Sequence, residues 1–249
     1  MKLIVADDYK ELSRHALAWL RGALAGIDIP TVVLPTGNTP LGLYHNLATG
    51  SKGQFLANAR FIQLDEYQGI PREDFRTLAG WFWRILLNPL SIPKTALISF
   101  DSSARDPDRE SARMEAVATK TDIDACVLGL GLNGHLGFNE PGSGFASQTR
   151  VVELSADSIK SNAAYWGGET RVPRRAFTLG LGTLATSRHT LLLVSGAHKA
   201  SILATTLMGP QTPEVPATCL ASFPDTTVIA DRSAIGANAE RLFSSSQQH

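Results

Sequence analysis

Several things are scarce in this chain, and each scarcity removes a class of protein. There are two cysteines in 249 residues, Cys126 and Cys219. Neither belongs to a Cys-x-x-Cys or Cys/His pattern, so the spacing supports no disulfide framework and no thiolate metal centre. Both lie in apolar surroundings and are expected to be buried core thiols in a reducing compartment. Charge of either sign is not in surplus: Lys plus Arg and Asp plus Glu are 23 each. That balance gives no basic stripe for nucleic acid and no acidic tail, although a local phosphate site needs only one or two cations. No apolar run approaches the ~18 residues of a membrane span. The opening MKLIVADDYK turns acidic too early for a signal peptide. The expectation is a soluble, cytoplasmic protein without nucleic-acid or membrane partners. Repeats, low-complexity blocks and linkers are also missing, so residues 1–249 are expected to form one domain.

What is present is an alternation of short Val/Ile/Leu runs with helical spacings. Strands are expected at Lys2–Ala6, Pro30–Leu34, Ala59–Leu64, Ala96–Phe100, Ile123–Leu128, Ala176–Leu181, Thr190–Ser195 and Thr226–Ala230. Helices are expected at Tyr9–Leu24, Leu41–Leu47, Phe75–Leu87, Asp106–Thr119, Asp157–Trp166, His198–Leu207 and Ala234–Phe243, before a frayed polar tail, Ser244–His249. Asp7 or Asp8 would cap the first helix; Thr39 would cap the second, with Pro40 at its first position. Trp81, Phe82 and Trp83 read as packing surface. Strands that are apolar throughout, rather than alternating, are those buried on both faces. The fold class is therefore α/β: a doubly wound, mainly parallel sheet with helices on both faces, a Rossmann-like three-layer sandwich.

The chain is organised around CVLGLGLNGHLGFNEPGSG, Cys126 to Gly144. An apolar strand there runs into a loop carrying Asn133, His135, Asn139 and Glu140. An imidazole and a carboxylate beyond the C-terminal end of a buried strand sit where open α/β sheets place ligands, and both are suited to proton transfer. Gly129, Gly131 and Gly134 also spell GxGxxG. The dinucleotide fingerprint needs a helix directly after it, and Gly137, Pro141, Gly142 and Gly144 break any helix here. The glycines are better read as allowing a sharp turn and a close approach of backbone to a small ligand. Two other strands end in polar loops. Thr36-Gly37-Asn38-Thr39 could hold an anion on backbone N–H groups, or be a plain capped turn. Asp65-Glu66-Tyr67 offers two acids that could be catalytic or merely solvated.

Taken together, LPTGNTPLGLY, LDEYQGIP, GLGLNGHLGFNEPGS and, more loosely, LGLGTL and VSGAHKA resemble the glucosamine-6-phosphate deaminase (isomerase) family, from about Val32 to Ala230. The related 6-phosphogluconolactonases share the fold but lack the Phe-Asn-Glu-Pro run. The resemblance implies a single doubly wound domain. It implies conversion of an amino-sugar 6-phosphate and water to a ketose 6-phosphate and ammonia, a hydrolase by class, with no metal or organic cofactor. Asp65 matches the base that moves a proton between C2 and C1. His135 matches the residue assisting pyranose ring opening, and Glu140 the carboxylate that orients it. Asn133 stands where some members carry Asp, which removes a charge from the relay. Thr36, Gly37, Asn38, Thr39 and Lys199 match the phosphate site.

Two departures qualify this. Many members bind phosphate with an Arg where this chain has Ala164, and losing a bidentate Arg is not conservative. Arg171, Arg174 or Arg175 would replace it, or be surface cations. The loss leaves room for another epimer, such as a galactosamine 6-phosphate. Of the allosteric site of hexameric members, Ser143 and Arg150 fit, but Val152 replaces a lysine and the C-terminal extension is missing. No amino-sugar activation is expected, and the assembly is expected to be a monomer or small homo-oligomer. Two other readings stay open. One is a lactone hydrolase. The other is a non-catalytic sugar-phosphate sensor of the kind found in transcription regulators, which should carry a helix-turn-helix.

Overall fold

The computed structural model describes residues 1–238. The main sheet is formed by β1 (Lys2–Ala6), β2 (Thr31–Leu34), β3 (Arg60–Gln63), β5 (Leu97–Ile98), β6 (Ala125–Gly129), β9 (His189–Val194) and β10 (Thr226–Asp231). Its order is β1-β10-β9-β6-β2-β3-β5 and every pairing is parallel. Alternate residues of each strand enter different cores. Val33, Ile62, Cys126, Leu128 and Leu192 pack on one face; Val32, Phe61, Val127, Leu191 and Ile229 pack on the other. Burial on both faces is why these strands read as unbroken apolar runs, as the doubly wound expectation required. Cys126 and Cys219 are free and buried, and burial pushes both thiols up to about 12.

A smaller sheet was not legible in the sequence. β4 (Asp65–Tyr67), β8 (Arg175–Thr178) and β7 (Arg150–Glu153) form an antiparallel sheet in the order β4-β8-β7. The expected strand ending at Leu64 thus passes from one sheet to the other around that residue. β7 gives no clear signal in the sequence because it is four residues long, half exposed and at the edge. The expected strand Ala176–Leu181 stops at Thr178, and Leu181–Leu184 turns as a short helix.

The helices are α1 (Tyr9–Ala23), α2 (Leu41–Ala48), α3 (Leu78–Phe82), α4 (Pro107–Lys120), α5 (Ala156–Trp166), α6 (Leu181–Leu184), α7 (Ala200–Met208) and α8 (Arg232–Ile235). Asp8 caps α1 by accepting from Glu11 N–H at 2.8 Å. The expected Thr39 cap of α2 is not made. Pro40 occupies the N-cap position, and the Gly42 N–H instead donates to the Tyr9 hydroxyl at 2.8 Å. α3 starts three residues later than expected and relaxes into a π turn over Trp83–Leu87. Its start is set by Thr77 and by the Glu66 carboxylate, which accepts from Leu78 and Ala79 N–H at 2.9 Å each. A carboxylate on those free amides is the favourable electrostatic arrangement at a helix N-terminus. Phe82 is buried edge-on to Phe61 and Tyr44, as a packing residue. Of the expected closing helix, Arg232–Ile235 and a 3-10 turn at Gly236–Asn238 are seen. The remainder of Ala234–Phe243, and the tail Ser244–His249, lie outside the described residues. No helix among the described residues is long and apolar enough to cross a membrane.

Candidate active site

The strand order reverses between β6 and β2. From β2 the chain moves outward through β3 to β5, then returns to β6 and proceeds the other way through β9 and β10. Loops leaving neighbouring strands at such a point diverge, and the crevice beyond their C-terminal ends is the usual ligand site of open α/β sheets. Here it is a cleft of about 400 Å³, lined by loop 35–40 after β2, loop 129–138 after β6, Asp65 and Tyr67 of β4, the first turns of α5, and His198 and Lys199 before α7. Thr36, Gly37, Asn38, Thr39, Asp65, Asn133, His135 and Lys199 therefore share one cavity. Glu140 does not line it; it sits behind the wall, 9% exposed.

The segment after β6 contains no helix before β7, so the GxGxxG glycines do not form a dinucleotide turn. Gly131 serves His135 instead: a Cβ there would lie 2.4 Å from the imidazole ring. Gly137 has φ +59°, and a Cβ would come within 3.3 Å of Asp65 Oδ2. The loop thus presses against both groups only because these positions lack side chains. Asn139 spends its polar atoms on structure. Its Nδ2 donates to the carbonyls of Leu136 and Leu179, and its Oδ1 accepts from Arg150.

Hydrogen bonding settles the tautomer of His135. Asn133 Oδ1 accepts the His135 backbone N–H at 3.2 Å and lies 2.8 Å from Nδ1. A backbone N–H can only donate, so the atom facing it is the amide oxygen, and the imidazole must then donate from Nδ1. Neutral His135 carries its free lone pair on Nε2. The other end of the Asn133 amide donates to Glu140 Oε2 at 3.0 Å, while Glu140 Oε2 stands 3.6 Å from His135 Nδ1. The imidazole is therefore oriented by Asn133, and the carboxylate acts on it from behind the amide rather than as its direct partner. Burial alone would raise the Glu140 pKa; the nearby His135 imidazole and the hydrogen bonds from Ser158 and Asn133 outweigh it and hold the carboxyl at about 2.

Asp65 is the opposite case. It is 7% exposed, and among the described residues nothing donates a hydrogen bond to its carboxylate. Desolvation first, and the neighbouring Glu66 charge second, push it up to about 7. Glu66 is fully buried and held by Gln63 Nε2 and the N–H groups of Tyr67, Leu78 and Ala79.

At the other end of the cleft, the backbone N–H groups of Thr36, Gly37, Asn38 and Thr39 take no acceptor among the described residues. Those of Leu41 and Gly42 are occupied by Asn38 O and the Tyr9 hydroxyl. The anion-binding amides are thus those of the loop, not of the first turn of α2. Tyr9 also bonds the carbonyls of Asn38 and Thr39, at 3.1 Å each. Lys199 reaches in from the loop after β9, its Nζ donating to Leu130 O at 2.6 Å; burial lowers its pKa. That loop is fixed by Asp231, which accepts from Ser195 Oγ and Gly196 N–H. Arg171, Arg174 and Arg175 do not reach the cleft. They line a separate concavity with Arg76 and Trp166, because β8 leads away from the site at its Arg175 end. Ala164 is also absent from the cleft wall.

Tyr67, Leu132, Asp157, Ser161, Asn162 and His198 line the cleft without having been expected there. Asp157, Ser161 and Asn162 lie one turn apart on α5, and that polar stripe was the available signal. Among the described residues, no group of three or more His, Cys, Asp or Glu is placed to hold a metal ion.

Residues 6–229 match the family described as glucosamine-6-phosphate isomerases/6-phosphogluconolactonase. The chain is 36% identical over 238 residues to a glucosamine-6-phosphate deaminase of Geobacillus sp. strain WCH70, covering 94% of this chain and 95% of that one. It is 33% identical to the enzyme of that name from Thermoanaerobacter pseudethanolicus, covering 94% of each. Its fold superposes on a monomeric glucosamine-6-phosphate deaminase with a TM-score of 0.90, at 32% identity, covering 94% of this chain and 99% of the other. A 6-phosphogluconolactonase from Thermotoga maritima shares the fold at a TM-score of 0.72 and 21% identity, over 93% of this chain and 99% of that one. The chain belongs to the glucosamine-6-phosphate isomerase/6-phosphogluconolactonase family.

Proposed function

We propose that residues 1–249 act as one amino-sugar-phosphate deaminase domain, converting glucosamine 6-phosphate and water to fructose 6-phosphate and ammonia. The observation that carries this is Asp65: a buried carboxylate in the cleft, with no hydrogen-bond donor among the described residues and a pKa near neutrality, which suits a base for a carbon acid. The relatives named above support the substrate class.

The phosphate sits on the amides of Thr36–Thr39 with Lys199. His135, through Nε2, takes the proton of the anomeric hydroxyl and returns it to the ring oxygen, opening the pyranose. In the open chain the C1 carbonyl acidifies C2–H. Asp65 removes that proton while the C2 ammonium group gives one of its protons to O1, forming a neutral enolamine; Asp65 then delivers its proton to C1, leaving an iminium at C2. Water adds to the iminium and ammonia departs, so only this last bond is hydrolysed. Asn133 and Glu140 keep the imidazole in its Nδ1–H form and stabilise its protonated state. A lactone hydrolase needs no C–H base and gives Asp65 nothing to do. The working assembly is a monomer or small homo-oligomer in the cytoplasm.

The test is ammonia release from glucosamine 6-phosphate and galactosamine 6-phosphate, assayed in parallel. Release from either supports a deaminase, and the ratio of kcat/KM assigns the epimer. No release from either, with binding of a hexose phosphate, refutes it in favour of a sensor or a lactonase.

A further inference from the structure

Ser158 belongs to none of the motifs above, yet it touches the proton machinery. It stands on the buried side of α5, 1% exposed, and its hydroxyl donates to Glu140 Oε1 in a short hydrogen bond. The other oxygen, Oε2, accepts from Asn133 Nδ2. A carboxylate held at both oxygens cannot turn about its last carbon–carbon bond without breaking one of these contacts. The Ser158 carbonyl meanwhile accepts from Ser161 Oγ at 3.0 Å and Asn162 Nδ2 at 2.8 Å, two side chains of the cleft wall. One residue thus grips the carboxylate with its hydroxyl and the cleft-facing stripe of α5 with its carbonyl.

We infer that Ser158 is a positioning residue: its hydroxyl holds Glu140 so that Oε2 faces Asn133 and His135, tying the placement of the imidazole to the seating of α5. This rests on His135 being the ring-opening proton carrier. An alanine at this position leaves Oε1 buried without its donor and frees the carboxylate to swing away. A threonine keeps the hydroxyl. Among the described residues, the other charged or titratable groups lining the cleft are Asp65, Tyr67, Asp157, His198 and Lys199, and none is altered by either change.

The experiment compares the parent protein with Ser158→Ala and Ser158→Thr in two measurements. Kinetics with glucosamine 6-phosphate should show kcat of Ser158→Ala reduced about tenfold, with KM within roughly twofold, and recovery in Ser158→Thr. Nitrogen-detected imidazole spectra, with the His135 signal assigned by its loss in His135→Gln, should show the Nδ1–H form disturbed in Ser158→Ala alone. A parent-like kcat and His135 signal in Ser158→Ala overturn the inference. Equal loss in Ser158→Ala and Ser158→Thr also overturns it, because packing rather than the hydroxyl would then matter. If the parent releases no ammonia, the proposed activity fails, and the His135 spectra alone decide on Ser158.

Discussion

Asp65 and Glu66 are adjacent in sequence and both buried, but their carboxylates meet opposite fates. Glu66 is satisfied by four donors, three of them backbone amides, and caps α3. Among the described residues Asp65 receives none, and it borders the cleft. A base must be ionised to act, so kcat/KM should rise through about pH 7 as Asp65 deprotonates. Glu66→Gln removes the second cause of that elevation and should move this limb to lower pH. The same change weakens the cap and should lower Tm by several degrees. A pH–rate profile and a melting curve of the variant check both.

Replacing the base itself separates chemistry from stability. Asp65→Asn should abolish turnover while a substrate analogue still binds. The folded pKa of Asp65 lies above its unfolded value, so its contribution to stability is full below about pH 4 and is lost as pH rises through about 7. The neutral variant should therefore melt higher than the parent at pH 8, and equally near pH 4. The full shift sets a ceiling of about 4 kcal/mol on the difference. An unchanged kcat, or a variant no more stable at pH 8, contradicts this account.

His135 and Asn133 should behave as one unit. His135→Gln is expected to lower kcat by about 10²–10⁴, the range of a positioned proton carrier. Asn133→Leu, which removes the acceptor that holds Nδ1–H, should also lower kcat. The same substitution added to His135→Gln should cost little more, since the partner it orients has gone. Additive losses in this double-mutant cycle would mean that Asn133 acts elsewhere.

The phosphate end offers a contrast between near and far cations. Lys199→Met should raise KM at least tenfold, whereas Arg171→Ala, Arg174→Ala and Arg175→Ala should each leave KM unchanged, because those three face another concavity. Inorganic phosphate should lose its competitive inhibition only in the Lys199 variant.

Tyr9 holds the same loop from a distance of 29 residues or more. Its hydroxyl bonds Asn38 and Thr39 carbonyls and takes the Gly42 amide. Tyr9→Phe should raise KM several-fold with kcat preserved, and cost about 1 kcal/mol of stability as a lost helix cap. A denaturant melt and steady-state kinetics test the two parts separately.

The sequence by itself determined the layers and the cast of the site. Strands buried on both faces must be continuously apolar, so the parallel sheet was visible in Val32–Leu34 and Ala125–Leu128. The glycines around His135 announced a loop that packs backbone tightly. Long-range contacts decided the rest. The helix start at Leu78 depends on a carboxylate twelve residues earlier, and the unmade Thr39 cap on a tyrosine thirty residues away. The small sheet needs β8 to pair with strands distant in the chain, and β7 is too short and exposed to signal that alone. The direct partner of His135 is Asn133 rather than Glu140, and Ser158 closes the arrangement from α5. Local periodicity carries information about which face of an element is buried. It carries none about which polar atoms meet once the elements pack, and in this protein that meeting sets the protonation of the site.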